Sequence, residues 1–591
     1  MENVKGYLDD QSRSEIRDGM RIDWDVPIEM DDGVVLRCDV YRPINERKYP
    51  VIMTYGPYGK YVHFEDLYAF QYHRMFERHP DVPAGSTNKY QNWEVVDPEK
   101  WVPDGYVCVR VDSRGQGRSP GMTDLFSARE AKDFAICIDW AGKQAWSNGK
   151  VGLNGISYYG MNQWQVAALQ PKHLSAICVW EGAADFYRDA CYHGGIFHNA
   201  FTFDWPARQI YPVQHGRGTH GFRSRMNGDW VSGPMTLGEE ELGSNRRDFG
   251  KDCFSNSLDN SEHWQSRMPD WTKVKVPIFS SANWGGSGLH LRGNCEGFVR
   301  SASKQKWLEV HGGEHWTEFY TDYGLNLQKK FFGYFLKNKD TGWRKQPKVQ
   351  LLIRHPGERF VLRYENEWPL ERTQWTKYYL NMSDASLSTR WQQSKGSVTY
   401  GGFSDGATFM TPPLEGDMEI TGPIAAKLWI SSSTEDADLF LVVRVFSPDM
   451  KEVIFQGAVD PYTPIAQGWL RASHRKLDRK LTLPYRPYHT HDEKQPLKPG
   501  QVYELDVEVW PTCIVVPKGY RIALTVRGKD YEYPAGGRAG TGEIAFSKPI
   551  RHEDPADRPA AVFGGKVTLH SSPDRKAYVL LPIIPQKKKQ A

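Results

Sequence analysis

The order of apolar and polar positions divides this chain into two textures. In the first half, short apolar runs alternate with amphipathic ones. "VVLRCDVYRP" (34–43) has the period-two alternation of a half-buried strand and stops at a proline, while "YPVIMTY" (49–55) and "GYVCVRVD" (105–112) read as further short strands. "AREAKDFAICIDWAG" (128–142) then puts Phe134, Cys137, Ile138 and Ala141 on one face at helical spacing. "KVGLNG", "LSAICVWEG", "VPIFSSA" and "KQKWLEVHGG" continue the series of short strands. Runs buried on both faces and separated by helices predict a mostly parallel sheet in an α/β domain. From about Gln346 the pattern becomes "AAKLWISSS", "DLFLVVRVF", "QVYELDVEVW", "YRIALTVRG" and "KAYVLLPIIP", alternating strands joined by Gly, Pro and Asp turns. That predicts an all-β sandwich of the jelly-roll kind.

Two long segments interrupt the α/β rhythm. Residues from about Glu65 to Trp101 read as a polar, aromatic-rich loop region, and those from about Cys191 to Trp271, rich in Gly, Arg, His, Phe and Trp, as a helical cap. The expected organisation is an α/β domain over 1–190 and 272–345, a cap insertion over 191–271, and a C-terminal jelly roll over 346–591.

Bulk properties narrow the function. A chain of 591 residues is too long for one core. With 75 basic and 72 acidic residues the net charge is +3, so nothing points to nucleic acid. The N-terminal "MENVKGYLDDQ" lacks a signal-peptide pattern and no later run is long enough to span a bilayer. Eight scattered cysteines without a C-x-x-C read as buried free thiols in a reducing compartment, so a cytoplasmic protein is expected. The terminal "QKKKQA" reads as a solvated tail. Neither the pair His193 and His198 nor "YHTHDE" (488–493) completes a metal-ligand set, and no metal or other cofactor is expected.

The chemistry concentrates in "GLNGISYYGM" (152–161). Ser157 stands between a strand-like and a helix-like run with Gly155 and Gly160 on either side, the layout of a nucleophile elbow, although Gly160 is one place later than in G-x-S-x-G. By itself the stretch is equally a tight turn. A serine nucleophile needs a base, a group to orient the base, and donors for the oxyanion. His315, in the loop after the last apolar strand of the first half, stands where an α/β-hydrolase carries its histidine. The Tyr158 amide follows the serine, and Tyr58, in "TYGPYGK", offers a phenol as a second donor.

"GPYGK", "VDSRGQGRSPG", "WSNGKVGLNGISYYGMNQWQVA", "GGEHW" and the later "GWLRASHR" together resemble the CocE/NonD family of serine hydrolases, over nearly the whole chain. This family includes cocaine esterase and α-amino-acid ester hydrolases and is related to the Xaa-Pro dipeptidyl peptidases. The resemblance implies an α/β-hydrolase fold with an inserted helical cap and a C-terminal jelly roll. It implies Ser157 as nucleophile, His315 as base, and Tyr58 with the Tyr158 amide as oxyanion hole.

One position departs from the pattern. The family's catalytic aspartate follows a strand in a "GW-x-D" context, and here "SSANWGGSGLH" carries Gly286 at that place. A misoriented histidine costs about 10⁴ in rate in a serine protease, so a substitute acid is expected. Some α/β-hydrolases carry the acid after the strand that follows the nucleophile helix. Here that strand, "LSAICVW", ends directly in Glu181. Asp185 is a second candidate, and Glu314 points away from its neighbour His315 if the chain is extended there. The expected triad is Ser157, His315 and Glu181, against one that is broken or completed differently. The expected function is hydrolysis of a small-molecule carboxylic ester, or an amide, through an acyl-enzyme. The alternatives are a Xaa-Pro dipeptidyl-peptidase or amino-acid ester hydrolase, and a catalytically inactive ligand-binding homologue. A homo-oligomer is compatible with these readings.

Overall fold

The computed structural model of the chain describes residues 12–392, 395–533 and 550–585. The segments "MENVKGYLDDQ" and "QKKKQA" lie outside the described residues. Among the described residues no helix is long and apolar enough to cross a membrane.

The first half builds one eleven-stranded sheet. Its strands are β1 (Arg13–Arg17), β2 (Met20–Glu29), β3 (Val35–Arg42), β4 (Tyr49–Gly56), β5 (Val107–Asp112), β6 (Ser147–Ile156), β7 (Leu174–Trp180), β8 (Ile278–Asn283), β9 (Lys306–His311), β10 (Val349–His355) and β11 (Arg359–Glu365). The spatial order is β1-β2-β3-β5-β4-β6-β7-β8-β9-β10-β11, parallel from β5 through to β10 and antiparallel at both ends. This is the α/β-hydrolase core. The central strands β4 to β9 are buried almost throughout, as their continuous apolar runs require.

Among the described residues five longer helices flank the sheet and its C-terminal edge: α1 (Phe64–Arg78), α2 (Ala128–Lys143), α3 (Tyr158–Leu169), α4 (Leu291–Arg300) and α5 (Asp322–Lys337). Helix α2 starts where the Ser127 side chain accepts the Glu130 N–H, and its predicted stripe of Phe134, Cys137, Ile138 and Ala141 is fully buried against the sheet. Helix α1 was not legible as a helix. Its buried positions, Phe64, Tyr68, Gln71, Tyr72 and Met75, mix aromatic and polar types, and Tyr68 leaves helical geometry to kink it.

Between β7 and β8 the chain folds into short helices, among them Ala200–Asp204, Pro206–Ile210, Glu239–Ser244 and Phe249–Ser255. A boundary at residue 345 does not coincide with the sheet pairing, because β10 and β11 lie beyond it and complete the first sheet. The alternating pattern there is that of an antiparallel edge pair, which local sequence cannot tell from the start of a β domain.

Among the described residues the C-terminal part is a second eleven-stranded sheet that curls into a barrel-like shape. It closes because Met418–Ser432 pairs with Tyr503–Val516 on one side and with Tyr578–Ile584 on the other. Its interior is a separate apolar core that includes Ile420, Leu428, Leu441, Leu505, Val507 and Leu569. All eight cysteines are unpaired and buried.

Phe134 stacks on Tyr55 with ring centroids 5.1 Å apart, joining α2 to β4. Phe134→Ala is expected to cost about 3–5 kcal/mol, as large-to-small changes in a packed core do. Urea unfolding followed by tryptophan fluorescence would show this as a lower midpoint of the α/β transition. An unchanged midpoint would mean that the stripe does not anchor α2.

Candidate active site

Strand β6 runs into α3 through one residue that belongs to neither. Ser157 has φ 57° and ψ −115°, a conformation that costs a non-glycine residue about 1–3 kcal/mol and survives only where its surroundings enforce it. The Ser157 N–H donates to the Trp180 carbonyl at 3.0 Å, and the amides of Gly160 and Met161 donate to the Ser157 carbonyl at 2.8 and 2.6 Å. The flanking glycines are steric requirements. A Cβ on Gly155 would lie 2.4 Å from Tyr159 Cβ, and one on Gly160 would lie 2.9 Å from the Trp180 carbonyl oxygen. Gly160, one place late for the usual motif, is therefore set by the close approach of α3 to the end of β7.

Glu181 follows β7 directly, with φ 43° and a fully buried side chain. Its Oε2 accepts a hydrogen bond from His315 Nδ1 at 2.7 Å. Its Oε1 accepts from His311 Nε2 at 3.1 Å and from Asn283 Nδ2 at 3.2 Å. The other two acids considered for this role are engaged elsewhere. Asp185 accepts the Arg188 N–H and pairs with its guanidinium, and Glu314 turns to Arg74 at 2.5 Å.

Ser157 Oγ has a different partner from the one expected. It lies 3.2 Å from His290 Nε2, while His315 Nε2 is bonded to Glu94 Oε1 at 3.0 Å. An imidazolium N–H prefers a buried carboxylate to a neutral hydroxyl, which accounts for the exchange. The rings of His290 and His315 lie parallel within 7°, with centroids 4.9 Å apart. His290 comes from the loop that lacks the expected aspartate. The carbonyl of Gly286 accepts the N–H groups of His290 and Leu291, a turn that starts α4 and delivers the histidine to the serine.

The electrostatics follow from burial and pairing. Burial opposes the charge of His315, but Glu181 and Glu94 outweigh it and push its pKa up to about 10. His311, between Glu309 and Glu181, is likewise pushed up to about 10 against the effect of burial. Burial alone would raise Glu181, yet the His315 charge and the two histidine hydrogen bonds hold it at about 2. Burial raises Glu94 to about 7, against the pull of His315. His290 is pushed well below the ordinary histidine value by burial and then by the His315 charge. The site thus pairs a charged imidazole with a neutral one.

Tyr58 is buried with its ring edge-on to those of Tyr158 and Tyr159, and its hydroxyl accepts a hydrogen bond from Trp205 Nε1 at 3.3 Å. The Tyr158 ring turns the other way, its hydroxyl donating to Glu130 Oε2 at 2.5 Å, so only its amide is left for the expected role. The C-terminal part braces the site directly. The His315 N–H donates to the Ala458 carbonyl at 3.0 Å, and the Ala458 N–H donates to the Gly285 carbonyl at 3.1 Å.

Glu181, His290 and His315 have donor atoms within 4.8 Å of one another. As arranged they are not a coordination sphere. Imidazole lone pairs lie in the ring plane, parallel rings do not direct them at one ion, and both nitrogens of His315 are held by carboxylates.

Residues 32–317 match X-Pro dipeptidyl-peptidase (S15 family), and residues 341–545 match the X-Pro dipeptidyl-peptidase C-terminal non-catalytic domain. A CocE/NonD family hydrolase from Staphylococcus aureus superposes with a TM-score of 0.84, at 28% identity over 98% of both chains. The chain belongs to the CocE/NonD family of serine hydrolases. Similar proteins include the cocaine esterase of Rhodococcus sp., 25% identical over 95% of this chain and 98% of its own. A putative Xaa-Pro dipeptidyl-peptidase of Bacillus anthracis is 22% identical over 84% of this chain and 79% of its own. As a CocE/NonD serine hydrolase, the chain is an enzyme of the esterase or X-Pro dipeptidyl-peptidase kind.

Sequence reading missed His290, Glu94, His311 and Glu309. The signals were faint. Glu94 is a lone acid in the run "NWEVV", and Glu309 and His311 are polar residues two apart in an otherwise apolar strand.

In Glu94→Gln the His315 imidazole loses one of the two carboxylates that hold its proton, so its titration midpoint should fall. Histidine ¹⁵N NMR across pH would record this, and a midpoint that stays or rises would contradict the pairing of His315 with two carboxylates.

Proposed function

We propose that this enzyme hydrolyses carboxylic ester bonds of small molecules through an acyl-enzyme on Ser157, with His315 as base and Glu181 as the acid that orients it. The observation that carries this reading is the 2.7 Å bond between Glu181 and His315 beside a serine held in an elbow. In this reading Ser157 Oγ attacks the carbonyl carbon while its proton passes to His315 Nε2. The developing oxyanion meets the Tyr58 hydroxyl and the Tyr158 amide, and first-turn amides of a helix have no carbonyl four residues back within it. His315 then protonates the departing alcohol. A water whose proton His315 takes next attacks the acyl carbon, and Ser157 leaves with that proton. The mechanism first requires His315 to release its Nε2 proton to Glu94, which is bonded to that nitrogen, and Ser157 then to turn from His290 to the freed Nε2.

His315 is preferred as base because a carboxylate stands behind it to stabilise the imidazolium. A second reading, favoured by the 3.2 Å contact to Ser157, gives the proton to His290. Against it, burial and the adjacent His315 charge disfavour a second imidazolium.

The rings of Tyr158 and Trp205 packed on Tyr58, with Phe126 and Phe201 stacked behind them, support a small or aromatic acyl group. Eight buried, unpaired cysteines support a reducing compartment such as the cytoplasm. An amide substrate, as in the Xaa-Pro dipeptidyl-peptidase or amino-acid ester hydrolase alternatives, would use the same chemistry.

Labelling by a fluorophosphonate, with the adduct located by mass spectrometry, tests the assignment. Wild type should label on Ser157, while Glu181→Gln and His315→Ala should label at least about 100-fold more slowly, within the range seen for lost triad members. Should His290→Ala collapse while His315→Ala stays fast, His290 is the base. No adduct on Ser157 in the wild type would overturn the reading as a whole.

A further inference from the structure

We propose that Glu309 and His311 form a fixed ionic clamp that positions Glu181 against His315. This inference rests on the proposed triad of Ser157, His315 and Glu181. An acid that arrives from β7 instead of the loop after β8 brings one more methylene than an aspartate, hence one more torsion to fix. The structure fixes it by dividing the carboxylate. Oε1 is held by His311 Nε2 and Asn283 Nδ2, and only Oε2 is left to His315.

The holding group is itself held. His311 Nδ1 bonds Glu309 Oε2 at 2.9 Å, and Ser281 Oγ donates to the same oxygen at 2.6 Å. Glu309 Oε1 accepts from the Tyr323 hydroxyl at 3.0 Å, and Gln350 Nε2 donates to that hydroxyl at 2.6 Å. Strand register makes this possible. Glu309 and His311 lie two apart on one face of β9, opposite Ser281 and Asn283 of β8. The His311 ring also stacks on Trp180, the residue before Glu181, with centroids 5.3 Å apart.

Glu181, Glu309 and His311 are all fully buried. Well-packed apolar residues would fill such a space at equal or better stability, so three interior ionisable groups suggest a task other than stability. The task visible here is orientation. With Glu181 fixed, His315 keeps its Nδ1–H on the carboxylate and exchanges protons only at Nε2, the nitrogen that the reaction uses.

The test is the pH dependence of kcat/KM on p-nitrophenyl acetate for His311→Gln and Glu309→Gln, with burst-phase titration of Ser157 to count competent sites. The charged and titratable groups facing His315 are Glu181, Glu94 and His290, and those facing His311 are Glu309, Glu181 and, further off, Glu318. In His311→Gln a cation near His315 is lost, so the His315 proton is held more tightly and the acid limb should move to higher pH. We expect kcat per competent site to fall about 10- to 100-fold with little change in KM, as when a supporting partner of a functional histidine is removed. Glu309→Gln should lower kcat per site in the same way by less, and because it removes an anion it should not move the acid limb to higher pH. Should His311→Gln fail to fold by circular dichroism, Asn283→Ala, which removes the other donor to the same carboxylate oxygen, and Glu309→Gln carry the test. A profile and kcat per site equal to wild type, with only a lower melting temperature, would reduce the clamp to a structural role and overturn the proposal. If the wild type gives no burst, or His315→Ala keeps its rate, the triad reading fails instead.

Discussion

Everything at this site depends on one constraint: a carboxylate with no exposure to water, Glu181, has to be met by donors and cations on both of its oxygens. His315 answers one oxygen, and His311 and Asn283 answer the other. Satisfying Glu181 brings further charges inside, since each imidazolium calls for a second carboxylate, Glu94 on one side and Glu309 on the other. The outcome is an alternating row of acids and imidazoles through the interior, in which every member is bonded to the next. Such a row is rigid because breaking any bond strands a buried charge.

The backbone bears the strain of presenting these groups. Ser157, Glu181 and Glu94 all sit at positive φ, a region that side-chain-bearing residues rarely adopt. All three flank the C-terminal ends of neighbouring strands. The Glu94 carbonyl accepts the Ile156 N–H and the Trp180 carbonyl accepts the Ser157 N–H, so the three segments hold one another in these conformations. The second domain takes part through Ala458, whose backbone ties the loops of Gly285 and His315 together. The barrel-like sheet is thus joined to the loops of the candidate site by main-chain hydrogen bonds, not by side-chain contacts alone.

Much of the fold was legible because burial imposes a pattern. Continuous apolar runs such as "YPVIMTY" and "LSAICVW" have to be interior strands, and the stripe of Phe134, Cys137, Ile138 and Ala141 has to face a sheet. Helix α1 escaped because its inner face mixes aromatic and polar residues and its geometry is broken by a kink at Tyr68, so no clean helical stripe shows in the sequence. The pairing of β10 and β11 with the first sheet escaped because alternation predicts a strand but not its neighbour.

The sequence by itself determined the local pieces of chemistry: a serine between two glycines, a histidine after the last apolar strand, a glycine at the place where the resemblance implies an aspartate, and an acid at the end of the strand after the serine's helix. Each follows from the position of a residue relative to its own strand, which periodicity reveals. Only the tertiary structure decided that Glu181 reaches His315, that His290 stands on Ser157 and that Glu94, His311 and Glu309 join them. Those contacts link segments up to 221 residues apart. They depend on strand register and loop closure in three dimensions, and no local rule of spacing carries that information.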